Sequence, residues 1–173
     1  MRTDLDRALA VIQAAMAFDW TWTTDDLPTF AHRIGWQVEG VDQQVPTITT
    51  NFDVNRTDAM AYLDHKPRTV GPRSIQRIDY YYTDVVLDDP SVRPHLDDAF
   101  NTIAPRIHEL AGEILTEAWS HNDTRMLRWD LPNLVVKLKV NDGSGLIYLV
   151  NPARQARDDE FDRMLVSSED DAG

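Results

Sequence analysis

The most restrictive feature of this chain is a run of alternating side chains at residues 74–86. Successive side chains of a β-strand point to opposite faces of the sheet. One face of this strand would carry Ile78, Tyr80 and Tyr82, and the other would carry Arg77, Asp79 and Tyr81. The pattern predicts a sheet whose apolar face packs against helices. Tyr81 is then exposed if nothing covers the second face.

Further strands are predicted on both sides of this run. Residues 134–140 and 146–150 flank a turn at 141–145, whose glycine and asparagine residues favour a hairpin. Residues 126–129 add a strand before it. Three shorter candidates precede the central run, at residues 36–41, 47–52 and 59–63.

Apolar residues at helical spacing predict the remaining elements. The first helix would begin after a Thr3 cap, and the second would begin after Thr24 and end at Gly35. A long helical region is predicted over residues 92–119, kinked or split by Pro105. A last helix would run from Pro152 to about residue 166, with packing residues Phe161, Met164 and Leu165.

The order of helices, strands, helix, strands and helix predicts an α+β fold with a mainly antiparallel sheet and helices packed on it. Its 173 residues suit a single domain, which we place at residues 1–166, followed by an acidic disordered tail at 167–173. The predicted sheet buries six residues against the long helical region. They are Ile78, Tyr80, Tyr82, Val136, Leu138 and Val140.

The charge of the chain argues against several functions. With 17 Lys+Arg and 29 Asp+Glu, the formal net charge is −12, which disfavours binding to a phosphate backbone. The chain has no cysteine, so thiolate metal sites and cysteine nucleophiles are excluded. No apolar run is long enough for a membrane span, and the first residues do not resemble a signal peptide. We therefore expect a cytoplasmic protein that is a monomer by itself and binds neither nucleic acid nor membrane.

The sequence contains no recognisable catalytic motif. Its one glycine-rich segment, residues 143–145, joins two predicted strands and does not open a helix as a phosphate loop would. No two histidines are spaced four residues apart, as a helical metal site would require. We predict no catalytic residues, no metal and no cofactor, so the protein is not expected to be an enzyme.

Aromatic and acidic residues suggest a protein-binding surface instead. Trp and Tyr dominate interface hot spots, and loops at the ends of a sheet often carry function. The predicted partner-binding residues are Trp20, Trp22, Asp25, Asp26, Asp84, Asp88 and Asp89. The alternative is structural: the tryptophans would attach the first helix to the sheet, and the aspartates would cap helices.

Five short segments also carry a resemblance to a known family. They are residues 18–22 (FDWTW), 25–26 (DD), 35–36 (GW), 82–89 (YTDVVLDD) and 149–152 (LVNP). The chain resembles small acidic bacterial immunity proteins of secreted polymorphic toxins, and is most similar to those directed against mycobacterial NAD-glycohydrolase toxins. The order of elements is similar to the type III secretion chaperone arrangement, with an additional helix near the start.

The resemblance implies an antitoxin that binds a cognate toxin domain and blocks its active site by steric and electrostatic occlusion. A site that accepts an anionic pyrophosphate tends to be basic, and an acidic inhibitor associates with it faster. The alternative is a secretion chaperone or adaptor, which would hold an export substrate without inhibiting it. An enzyme that uses aspartates is a third possibility.

Overall fold

The computed structural model describes residues 1–64, 71–112 and 115–170, with side chains described up to Leu165. It is an α+β fold, as the sequence predicts. The helices are α1 (Leu5–Met16), α2 (Asp26–Ile34), α3 (Arg93–Ala111) and α4 (Pro152–Asp170), with a short 3-10 turn at Pro90–Val92 before α3. The strands are β1 (Gln37–Glu39), β2 (Thr47–Thr49), β3 (Asp58–Leu63), β4 (Ile75–Tyr81), β5 (Glu117–His121), β6 (Thr124–Leu131), β7 (Leu134–Val140) and β8 (Gly145–Val150).

These strands form one antiparallel sheet in the order β1-β2-β3-β4-β8-β7-β6-β5. Each half of the sheet is a meander of four consecutive strands. The halves join where β4 pairs with β8, and α3 makes the crossover between them. The sheet therefore depends on a central pairing between segments that are distant in sequence.

The helices α1 and α3 cover one face of the sheet and pack against each other. The six residues predicted to be buried there are all at most 1% exposed. They belong to one continuous apolar core that also includes Ile12 of α1 and Ile107 of α3. The predicted alternation of the central strand and of the hairpin is thus confirmed.

The predicted helix over residues 92–119 is wrong at its end. α3 continues through Pro105 without being split and ends at Ala111, followed by Gly112 in a left-handed conformation. Residues 117–121 form β5 instead. Asn122, with a φ of 51°, lies in a two-residue turn that folds β5 onto β6. Pairing within this hairpin outweighs the good helix propensity of residues such as Glu117 and Ala118.

Two predicted helix caps are also corrected. Asp4, not Thr3, caps α1 by accepting a hydrogen bond from the Arg7 N–H. Thr24 does not cap α2, which begins after Asp25 without a side-chain cap. Gly35 ends α2 in the left-handed conformation that the sequence predicts.

The last helix differs from the prediction in length and in packing. α4 continues to Asp170, past the expected end at residue 166, and residues 171–173 lie outside the described residues. Phe161 and Met164 are about 60% exposed, so they are not the packing residues that we expected. The helix is held instead by polar contacts, chiefly between Asp159 and Arg128 of β6.

Candidate binding surface

The two predicted tryptophans lie between α1 and the sheet. Their rings stack with centroids 4.5 Å apart. The Trp20 Nε1–H donates to the carbonyl oxygen of Ala15 at 2.8 Å, and the Trp22 Nε1–H donates to that of Asn133 at 3.1 Å. Trp22 is buried and Trp20 is half-buried. These contacts match the structural alternative, in which both rings attach the first helix to the sheet.

Asp26 is also occupied within the fold. Its carboxylate is buried and accepts hydrogen bonds from the Thr21 N–H at 3.0 Å and from the Thr21 hydroxyl at 2.9 Å. Asp25 is exposed and makes no capping hydrogen bond. Of this pair, only Asp25 is accessible to a partner.

The second predicted acidic group, Asp84, Asp88 and Asp89, also contains both buried and exposed residues. Asp84 is buried and accepts hydrogen bonds from the N–H groups of Arg2 and Asn55, both at 2.7 Å. Burial acts to raise the pKa of Asp84, but these hydrogen bonds hold it below its usual value. Asp88 and Asp89 are exposed, and Asp89 accepts a hydrogen bond from the Ser91 N–H. Asp88 has a left-handed backbone with a φ of 60°.

The two predicted groups do not form one surface. The Trp22 carbonyl accepts a hydrogen bond from Ile75 at the start of β4, whereas Asp84, beyond its end, donates to the Arg2 carbonyl. Nine residues of extended chain separate these contacts, about 30 Å at roughly 3.3 Å per residue. We therefore correct the expectation that these loops converge.

The structure instead reveals an open face on the side of the sheet opposite α1 and α3. The registers of β4, β8, β7, β6 and β5 align one cross-strand row on this face. The row consists of Tyr81, Leu146, Lys139, Met126 and Trp119. Trp119 is 45% exposed and the other four are half-buried. Four of the five side chains are apolar or aromatic, and Lys139 in the middle of the row is the one charged member.

Beside this row lies a cluster centred on Arg77. Its guanidinium carbon is 4.1 Å from the centroid of the Tyr62 ring and 5.1 Å from that of Tyr148. Arg77 Nε is 3.0 Å from Asp79 Oδ1. Met60, opposite Asp79 on β3, completes the cluster and is exposed. We call the row and the cluster together the open patch.

The electrostatics of the open patch are unusual at Asp79. Asp79 is only 8% exposed although it lies on the part of the face that no helix covers, because the long side chains around it exclude water. Burial raises the pKa of Asp79 to about 6, while the positive charge of Arg77 acts in the opposite direction. Burial also raises the pKa of Tyr148 to about 12. The patch thus holds an ion pair whose carboxylate is buried and whose guanidinium is partly exposed between aromatic rings.

The helix α4 lies beside the open patch and is anchored by Arg128 of β6. This guanidinium is 2.6 Å from Asp130, 2.7 Å from Asp159 and 3.4 Å from Glu117, measured between the nearest nitrogen and oxygen atoms. The hydrogen bond from Arg128 lowers the pKa of Asp159. The helix therefore limits the open patch on one side and leaves its tyrosines accessible.

The described residues offer less support for a metal site, a ligand-binding cleft or a membrane-spanning helix. In the ranges that the structure describes, no group of three or more His, Asp or Glu residues could hold a metal ion. A shallow cleft of about 360 Å³ lies between α1 and α3, and the ion pair between Arg106 and Asp6 crosses it at 2.8 Å. Among the described helices, none is long and apolar enough to cross a bilayer. The open patch is consequently the strongest candidate site.

Most residues of the open patch were not singled out from the sequence. The alternation of β4 placed Tyr81 on the second face, but Tyr62, Tyr148 and Trp119 were missed. The same period of two in β3 and β8 could have placed the two tyrosines there. Trp119 was hidden by its assignment to a helix.

Comparison with known proteins places the chain in a family. The profile of DUF6301, a family of unknown function, matches residues 6–150. The chain belongs to the DUF6301 family. The match extends from α1 to the end of β8 and so includes every strand of the sheet. No curated protein and no solved structure matches the chain.

Proposed function

We propose that this DUF6301 protein is an immunity protein that uses the open patch to bind a cognate toxin domain and occlude its active site. The observation that carries the proposal is the composition of the open patch. Tyr, Trp, Met and Arg are the residue types enriched in the centres of protein interfaces. On a surface that otherwise carries many aspartates, these types are concentrated on the part of one sheet face that α4 leaves open.

The dimensions of the open patch also suit a protein partner. From Met60 on β3 to Trp119 on β5 there are five strand spacings, about 24 Å at roughly 4.8 Å each. Along the strands the patch extends over three rows of side chains, about 13 Å. The area of about 300 Å² is in the range of functional patches on monomers. It would form the centre of a standard interface, which buries about 800 Å² on each partner.

The negative charge of the chain favours a partner with a basic surface. The net charge is −12, and the exposed Asp88 and Asp89 form no ion pair with any described residue. By contrast, the acids of the open face are paired, such as Asp79 with Arg77 and Asp58 with Arg56. We therefore assign contact to the open patch and long-range attraction to the surrounding acids. A toxin that cleaves NAD must bind an anionic pyrophosphate, so its active site is a suitable basic target.

The proposal is tested by co-expressing the chain with the toxin domain encoded beside its gene and measuring growth. We expect the chain to restore growth and the double variant Met60→Ala/Tyr62→Ala to lose this protection. Truncating interface hot spots costs at least about 2 kcal/mol, or roughly a 30-fold weaker Kd. The control is Leu87→Ala, which removes a side chain that is 74% exposed outside the patch. Equal protection by both variants would remove the open patch from the interface.

An enzymatic assay of the same complex separates immunity from the adaptor alternative. An excess of the chain should abolish NAD cleavage by the purified toxin domain if the bound chain occludes its active site. A stable complex that retains full NAD cleavage would instead identify a secretion chaperone or adaptor. If no complex forms with the neighbouring gene product, both binding roles lose their support.

A further inference from the structure

We infer that two copies of this chain associate through β5, in antiparallel register about Trp119, so that their sheets become continuous. The inference concerns the edge of the sheet and does not depend on the identity of a toxin. The acidic composition led us to expect a monomer, and this dimer would replace that expectation.

The first observation is that β5 is an unprotected edge. All five residues of Glu117–His121 are exposed, and in the described part of the chain no group hydrogen-bonds to the outer side of the strand. Natural edge strands are usually protected by lysine, proline, a bulge or very short length. The opposite edge, β1, has only three residues. β5 is longer and contains neither lysine nor proline.

The hairpin turn determines which backbone groups point outward. The residues flanking a two-residue turn, here His121 and Thr124, form a hydrogen-bonded pair. Such pairs alternate along the ladder, so Trp119 also directs its N–H and C=O toward β6. Ala118 and Ser120 therefore direct theirs away from the sheet. These outward groups are available to a second strand.

An antiparallel pair with its two-fold axis at Trp119 uses all of these groups. Ala118 of one copy faces Ser120 of the other in a hydrogen-bonded pair, and the symmetry gives four hydrogen bonds. Trp119 faces its own equivalent in a non-hydrogen-bonded pair, where the Cα atoms are about 4.5 Å apart. The two exposed indole rings are thus brought into contact.

The side chains of β5 are complementary to themselves in this register. Glu117 of one copy lies opposite His121 of the other, so two acid–imidazole pairs flank the tryptophans. Hydrogen-bonded and aromatic cross-strand side-chain pairs stabilise a sheet, whereas like charges oppose pairing. A two-fold axis at Ser120 would place Glu117 opposite Asp123, which is a pair of like charges. An axis at Ala118 would leave His121 without Glu117 as its partner. These side-chain pairs therefore favour the axis at Trp119.

Dimerisation would also join the two open patches. Directly opposed side chains share one face of a sheet, and Trp119 ends the apolar row of each copy. The joined surface would run from Tyr81 of one copy, through both tryptophans, to Tyr81 of the other. A partner would then meet a binding surface twice as wide as that of one chain.

Cysteine cross-linking tests the register, because the natural chain has no cysteine and any disulfide must join two copies. Trp119→Cys should form a covalent dimer under mild oxidation, since disulfides require Cα atoms about 4.4–6.8 Å apart. The matched control is Phe161→Cys on α4, at a position that is 61% exposed in the natural chain. A mixture of Glu117→Cys and His121→Cys should cross-link, whereas each variant alone should not.

Sedimentation over a wide concentration range tests the association itself. The natural chain should be dimeric, and Ala118→Pro should be monomeric, with the unfolding temperature that the natural chain shows when it is diluted to the monomer. Proline at this edge position removes an outward N–H and no hydrogen bond within the fold. Ala118→Ser keeps the N–H and should remain dimeric. A monomeric natural chain at all concentrations, or equal cross-linking through residues 119 and 161, would overturn the inference.

Discussion

Replacing Asp79 by asparagine should stabilise the protein at neutral pH. Asp79 is buried on the open face, and its pKa is about 6 in the folded protein against 3.8 for an unperturbed group. One pKa unit corresponds to about 1.4 kcal/mol. Ionising this carboxyl in the folded state therefore costs about 3 kcal/mol. Asparagine removes that cost, although it also loses the charge contact with Arg77.

The direction of the pH dependence follows from proton binding. Between pH 3.8 and about 6 the folded state binds more protons at Asp79 than the unfolded state, so stability falls as pH rises. Below this window Asp79 is protonated in both the folded and the unfolded state. Above it, Asp79 is ionised in both states and the full loss of stability has been reached. From pH 4.5 to pH 7.5 the natural chain should lose about 2 kcal/mol relative to Asp79→Asn.

Urea unfolding of both chains at these two pH values measures the effect. With a slope near 2 kcal/mol per molar urea, the midpoint difference between the chains should change by about 1 M. The matched control is Asp58→Asn on the same face. The hydrogen bond from Arg56 lowers the pKa of Asp58 from its usual value of 3.8, so its stabilising effect is present at both pH values, and this variant should lose nearly the same stability at pH 7.5 and at pH 4.5. A midpoint difference for Asp79→Asn that is equal at both pH values would refute the reasoning.

Two further predictions concern packing and association. Gly145→Ala would place a Cβ atom 2.4 Å from Cζ of the buried Tyr82 ring, so it should lower the free energy of unfolding by about 1–3 kcal/mol in thermal denaturation; no loss would mean that the ring can move aside. The double variant Asp88→Asn/Asp89→Asn should slow association with the toxin domain, most strongly at low salt, because it removes exposed steering charges. Measurement at two salt concentrations decides this, and an unchanged rate at both would exclude a steering role.

The local patterns of the chain predict most of the fold. The alternation around Tyr80 predicts both faces of β4, and the turn at residues 141–145 predicts the β7–β8 hairpin. The prediction failed at β5, because its residues have acceptable helix propensity and only pairing with β6 makes them a strand. Local patterns cannot reveal such a pairing before its partner is known.

The candidate site was less predictable than the fold. Tryptophans and aspartates are equally suited to interfaces and to structural roles, and composition does not distinguish these two roles. The structure gives Trp22 and Asp26 hydrogen-bond partners within the fold. It also shows that Trp22 and Asp84 contact opposite ends of β4, a separation that depends on the direction of the chain through the sheet. By contrast, the open patch combines residues from six strands, β3 to β8, which only the sheet order aligns.

The central pairing of β4 with β8 has a consequence for synthesis of the protein. β4 ends at Tyr81, but its partner begins at Gly145. At about 5–20 residues per second, the ribosome needs roughly 3–13 s to make the intervening chain. During this time the first four strands present an unpaired edge beside an incompletely covered apolar face. Truncated chains that end before β8 should therefore aggregate more readily than the full chain.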